Sequence, residues 1–114
     1  MGDNLQNCGM QDIFICQSNL KYAQFSHSIF NNIDIAESDL SESDFSECRL
    51  KEFYPEKTRF QRSAFFKTPL RGIDFTSCQI DGIVVSDNFT ELRGASVNLY
   101  QAAGLSKLLG VIIK

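Results

Sequence analysis

Large apolar residues recur at every fifth position along most of the chain. From Leu5 the series runs Met10, Ile15, Leu20, Phe25, Phe30, Ile35, Leu40, Phe45, Leu50, Pro55, Phe60, Phe65, Leu70, Phe75, Ile80 and Val85, and only Pro55 departs from it. Sixteen of these 17 positions are large and apolar, whereas a chain that is 43% hydrophobic would place about seven there by chance. Two residues after each member, from Asn7 to Gly82, the column is polar or glycine except for Tyr22. Two residues before each member, the residues are mostly small or β-branched, as at Cys8, Ile13, Ser18, Ala23, Ser28 and Ile33, and Asp3 is the one charged member.

A period of five suits neither regular element. Five residues turn an α-helix by about 500° and scatter the series over its faces. Five residues along a strand reverse the side chain each time. For every fifth side chain to point inward, the backbone itself must turn by a constant angle every five residues. That predicts a solenoid with short flat sides, a core of stacked large side chains, and the small column filling the gaps between them. Charge matching leaves the number of sides open. A spacing of 20 stacks Glu37 over Lys57, Asp39 over Arg59, Glu42 over Arg62 and Glu47 over Lys67, while a spacing of 15 pairs Glu42 with Lys57, Asp44 with Arg59 and Glu47 with Arg62 equally well.

Segments such as SDLSESDFSECRL and GIDFTSCQIDGI resemble the pentapeptide-repeat family, whose consensus is close to A(D/N)LXX, and the resemblance runs over residues 3–87. It implies an all-β fold, a right-handed quadrilateral β-helix of about 20 residues per coil and about four coils. The expected division is residues 1–88 as the β-helix and residues 89–114 as a loop, a capping α-helix and an apolar tail, all in one structural domain. The stretch KEFYPEK departs from the pattern, with Pro55 in the large column and Phe53 in the small one. Proline lacks a backbone donor, so a local bulge or corner defect is expected there.

The repeat stops near Val85, and SDNFTELRG reads as a loop. Asn98 with Gln101 three residues later forms a capping-box pattern. Leu105, Leu108, Leu109 and Ile112 keep helical spacing, and Gly110 sits where a helix commonly stops. A helix over 98–110 is expected to cover the open last coil. The stretch LRGASVNLYQAAGLSKLLGVIIK resembles the end of Qnr-type quinolone-resistance proteins, through Tyr100-Gln101-Ala102, the spaced leucines, Leu109-Gly110 and the tail Val111-Ile112-Ile113. This resemblance implies a homodimer joined through Leu99, Tyr100, Leu105, Leu108, Leu109, Val111, Ile112 and Ile113. It also implies a bacterial type II topoisomerase (DNA gyrase) as partner, bound by mimicry of DNA.

Composition narrows the function further. The 114 residues carry a net charge of −3, which disfavours direct nucleic-acid binding through phosphate contacts. No apolar run approaches the roughly 18 residues of a membrane span. The start MGDNLQNCGMQD lacks the basic and apolar regions of a secretory signal, so a reducing cytoplasm is the expected location. Cys8, Cys48 and Cys78 fall in the small inward column and should be buried, unpaired thiols. No C-x-x-C pair suggests a metal, and no glycine-rich loop suggests a nucleotide. His27, the one histidine, lies at an outward position, so neither catalysis nor a cofactor is expected.

The acidic run Asp34, Glu37, Asp39, Glu42, Asp44 and Glu47 is the candidate partner-facing surface. At 20 residues per coil it wraps one coil as a ring and does not form the axial stripe that DNA mimicry needs. One face would read Asn19, Asp39, Arg59, Gln79, and seven of the 11 basic residues follow between Arg49 and Arg71. Opposed rings of this kind read as surface pairs of roughly 0–1 kcal/mol each. Phe14, Ile29, Tyr54 and Phe66 lie off the core columns. The combined reading is a non-enzymatic protein-interaction scaffold, with topoisomerase binding as the second reading.

Overall fold

The structure, a computed structural model, describes residues 5–86 and 89–107. Three strands, β1 (Gly9–Cys16), β2 (Ile29–Ala36) and β3 (Arg49–Glu56), form a parallel sheet in the order β1-β2-β3. A short 3₁₀ turn at Thr90–Leu92 and the helix α1 (Leu99–Ser106) follow. Partners in the sheet are 20 residues apart, as in Met10↔Phe30↔Leu50 and Ile13↔Ile33↔Phe53. The same step joins Asn19, Asp39, Arg59 and Gln79 through isolated bridges. The charge-matching alternative of 15 residues is therefore replaced by 20. The last turn is longer, since Asp74 pairs with Ser96.

The constant turn has a definite backbone origin. Fifteen of the sixteen residues in the polar column from Asn7 to Gly82 have positive φ, including Glu37, Glu42, Glu47, Glu52, Lys57 and Arg62. For residues other than glycine this left-handed conformation costs of order 1 kcal/mol or more. It persists because most corner N–H groups are bonded to the following coil: Glu42 N donates to Gln61 O at 2.9 Å, Glu47 N to Phe66 O at 2.8 Å and Arg62 N to Asp81 O at 2.8 Å. Ser77 is the one member outside the left-handed region, and there the Lys57 N–H bonds the Ser77 hydroxyl at 3.1 Å.

Both inward columns are buried through the middle of the rod, except at the partly buried Leu50. Phe25, Phe45 and Phe65, each one coil apart, form a continuous ring stack with centroids 4.9 and 5.2 Å apart. Phe30, Phe53, Phe60 and Phe75 pack against the stack edge-on or tilted, the arrangements that aromatic quadrupoles favour. The small column is often polar because its hydroxyls bridge coils. Ser43 Oγ donates to Leu20 O at 3.1 Å and Ser63 Oγ to Leu40 O at 2.7 Å. Thr68 Oγ1 donates to Phe45 O and accepts from Cys48 N at 3.0 Å. A small hydroxyl residue there fills the gap without leaving a buried donor unpaired.

Two expectations are corrected. Pro55 makes no bulge: it is buried in β3 with its register intact against Ile35. Inward residues elsewhere donate their N–H to the following coil, as Phe60 does to Gln79 O at 2.7 Å. Proline forfeits only that forward bond, and among the described residues no backbone hydrogen bond joins β3 to the segment 69–76. The proline thus sits on the outer edge of the sheet, where its missing N–H costs no sheet bond, and its strand is not deformed. Cys8 is half-buried, not buried, because it belongs to the first coil, where Leu5, Met10, Ile13, Ile15 and Leu20 are also only partly covered. Cys48 and Cys78 are buried and free as expected, and Cys16 is exposed.

Candidate interaction surfaces

The acidic ring is largely answered by the chain's own groups. Asp39 lies 3.6 Å from Lys21 Nζ, Glu42 accepts from Arg62 Nε at 3.3 Å, and Glu47 meets His27 and, at 4.0 Å, Lys67. Glu37 accepts from Gln17 Nε2 at 3.2 Å, and Asp44 accepts from the Ser46 N–H at 2.9 Å. Burial pushes the Asp39 carboxyl up, but bonds from Ser41 and the Lys21 and Arg59 cations outweigh it and hold the group below the usual range. Asp34 alone in the ring has no side-chain partner among the described residues. The field of the ring is weakened at Asp39, Glu42 and Glu47, where a lysine or arginine lies close by.

The C-terminal end is built from two polar side chains turned inward. Asn98 and Gln101 form the capping box, with Gln101 N donating to Asn98 Oδ1 and Asn98 N to Gln101 Oε1, both at 2.8 Å. The sequence reveals that pair but not its second role. Gln101 Nε2 also donates to Phe75 O at 2.5 Å and Cys78 O at 2.6 Å, while Asn98 Nδ2 donates to Thr76 O at 2.8 Å. The helix start is thus tied to carbonyls of the last coil.

Glu91 is a further closing residue that the sequence reading missed. It is 3% exposed and accepts from Lys67 N at 2.8 Å, Ser86 N at 2.9 Å and Ser86 Oγ at 2.7 Å. Burial raises its carboxyl, yet the bonds from Lys67 and Ser86 prevail and hold it below the ordinary value. Its carboxylate supplies acceptors to donors left by the end of the regular repeat. Nothing in SDNFTELRG marks this glutamate as inward, because the lengthened last turn has left the five-residue register.

Of the residues expected at a dimer or cap interface, Leu105 packs partly buried on the core, whereas Leu99 and Tyr100 are 88% and 91% exposed. Leu108, Leu109, Val111, Ile112 and Ile113 lie outside the described residues. A cleft of about 350 Å³ remains beside α1, lined by Ile80, Ile83, Gln101 and Leu105 among others. Among the described residues, no helix is long and apolar enough to cross a membrane.

A family model for pentapeptide repeats matches residues 18–53 as eight copies. Those residues, about a third of the chain, carry pentapeptide repeats, and the chain resembles that family. Such proteins fold as right-handed β-helices and are generally structural or interaction proteins without enzymatic activity. The solved structure of Rfr23, a pentapeptide repeat protein from the cyanobacterium Cyanothece 51142, matches with a TM-score of 0.63 at 17% identity, over 83% of this chain and 64% of that one. The chain thus spans less than two thirds of that protein, and the likeness is one of fold. HetL, a pentapeptide repeat protein involved in heterocyst differentiation regulation from Nostoc sp. strain PCC 7120, matches at a TM-score of 0.34 and 21% identity, over 72% of this chain and 41% of that one. QnrB1, a plasmid-mediated fluoroquinolone resistance protein, matches in a trypsin-treated form at a TM-score of 0.29 and 13% identity over the whole of both chains. At these two scores no structural argument follows. No curated protein matches the chain in sequence.

Proposed function

We propose that this pentapeptide-repeat protein is a non-enzymatic interaction scaffold: a four-sided rod of about four coils that self-associates through its C-terminal end. The 20-residue register supports the four-sided form, since it places four five-residue units between successive partners. The observation that carries self-association is the pair Leu99 and Tyr100, adjacent large hydrophobic residues at the start of α1 that are almost fully exposed. Central apolar anchors dominate the energy of such interfaces. Sedimentation of the wild type at micromolar concentration should give a dimer, and Leu99→Asp with Tyr100→Asp should give a folded monomer. A monomeric wild type, or an unchanged dimer in the double variant, refutes this reading.

A second reading, binding to a type II topoisomerase such as DNA gyrase, is supported by the YQA…LLG ending. The paired acidic ring weighs against it, since attraction to a DNA-binding cleft depends on the net field. Protection or inhibition of gyrase in a supercoiling assay at low micromolar protein would favour this reading over a scaffold with other partners.

A further inference from the structure

The outer face of the three-stranded sheet carries an unusual column. Phe14, Asp34 and Tyr54 are successive register partners on β1, β2 and β3. Phe14 and Tyr54 are 68% and 54% exposed, although their faces are large enough to bury. They border a groove of about 500 Å³ whose lining includes Asp34, Glu56 and Asp74 but no lysine, arginine or histidine. Most carboxylates elsewhere on the rod are engaged, as Glu42 is by Arg62, Asp12 by Asn32 and Asp81 by Gln61. Among the described residues, the side chains of Asp34 and Glu56 make no hydrogen bond or ion pair. Asp74 accepts from Thr76 N at 2.9 Å and Thr76 Oγ1 at 2.6 Å, and these bonds hold its carboxyl below the usual range, so it is ionised at neutral pH.

We infer that this groove binds an arginine side chain presented by a basic segment of a partner protein, with Asp34 as the anion and Phe14 and Tyr54 as flanking aromatic faces. Adjacent parallel strands lie about 4.8 Å apart, so the two aromatic residues, two strands apart, are separated by roughly 10 Å at the backbone. A flat cation in van der Waals contact with a ring on each side needs about 7 Å between those rings. The guanidinium meets all the demands at once: it is planar, stacks on aromatic faces, and donates in a fork that a carboxylate accepts. An ammonium carries the charge but lacks the flat faces that stack on two rings and the fork that pairs with a carboxylate. Uncompensated Glu56 and Asp74 favour further basic residues beside the arginine. The proposal rests on the interaction-scaffold reading but uses a different face from α1, so loss of self-association would leave it standing.

The test is a titration of the isotope-labelled full chain with tetra-arginine peptide, followed by amide NMR shifts, with tetra-lysine and tetra-glutamate as comparison peptides. The expected result is saturable shifts centred on Phe14, Asp34, Tyr54 and Glu56, with tetra-arginine bound at least several-fold tighter than tetra-lysine and tetra-glutamate not bound. Asp34→Asn and Tyr54→Ala should each weaken tetra-arginine by about tenfold, and Tyr54→Phe should restore most of it, because the ring face and not the hydroxyl carries the contact. Both positions are on the surface, so unchanged far-UV circular dichroism will show that the variants are folded. No shift at millimolar peptide, shifts spread evenly around the acidic ring, equal affinity for lysine and arginine peptides, or indifference to Tyr54→Ala would each overturn the proposal.

Discussion

Replacing Glu91 with alanine should destabilise the chain far more than its place in a surface loop suggests. The side chain holds the Lys67 N–H, the Ser86 N–H and the Ser86 hydroxyl. Removing it takes this acceptor from two part-buried backbone donors, at about 1–3 kcal/mol each, with the hydroxyl free to turn elsewhere. The expected loss is therefore about 2–6 kcal/mol. Glu91→Gln keeps one acceptor and the shape, and should lose about 1–2 kcal/mol. Urea unfolding followed by circular dichroism is the assay. With a slope of about 1–1.5 kcal/mol/M for a domain of this size, the alanine variant should unfold about 1–6 M earlier. The effect should also depend on pH. The Glu91 carboxyl is held below its unfolded value, so its contribution is complete above the ordinary glutamate pKa and fades as pH falls through the folded one. The gap between wild type and the glutamine variant should accordingly narrow on acidification. An alanine variant within about 0.5 kcal/mol of wild type would refute the reasoning, since no buried donor could then depend on this residue.

Three further outcomes follow from the core and the corners. Native thiol labelling should be fast at Cys16, slower at half-buried Cys8, and blocked at Cys48 and Cys78 until unfolding; burial pushes the Cys48 thiol up to about 11, so mild alkali should not expose it to reagent. Phe45→Ala, which opens the ring stack between Phe25 and Phe65, should cost about 3–5 kcal/mol in the same urea assay, and a loss under about 1 kcal/mol would show that the stack collapses around the gap. Gly82→Ala should cost about 1–2 kcal/mol, because its φ is +71° and a Cβ would sit 3.1 Å from Arg62 Cγ; a neutral result would mean the corner relaxes freely.

The interior was legible because its constraint is periodic. Each five-residue unit repeats one geometry, so Phe25, Phe45 and Phe65 reveal themselves by position alone. The capping pair Asn98 and Gln101 was legible for a similar reason, since a helix start is a local pattern. What escaped was whatever depends on the end of the periodicity. Glu91 turns inward only because the final turn is lengthened, and residue type gives no hint of that. The left-handed corners at Glu37, Glu42 and Glu47 were hidden too, because glutamate has no intrinsic preference for them and is held there by bonds to the next coil. The grouping of Phe14, Asp34 and Tyr54 needed the 20-residue register, which charge matching alone had left undecided.

The uniform 20-residue register also governs how such a chain can change length. Inserting or deleting one whole turn would alter the rod by about 4.8 Å and leave every lateral column aligned above and below the change. An insertion of five residues would preserve the apolar core equally well, since the inward series continues, but would rotate everything after it by one side. Asp34 would then no longer stand between Phe14 and Tyr54, and Glu42 would lose Arg62, while the phenylalanine interior remained filled. Selection for stability is therefore blind to a slip that rewrites the surface. Gene-level duplication in such a chain can hold its core constant while reshuffling, in discrete quarter-turn steps, which side chains share a face.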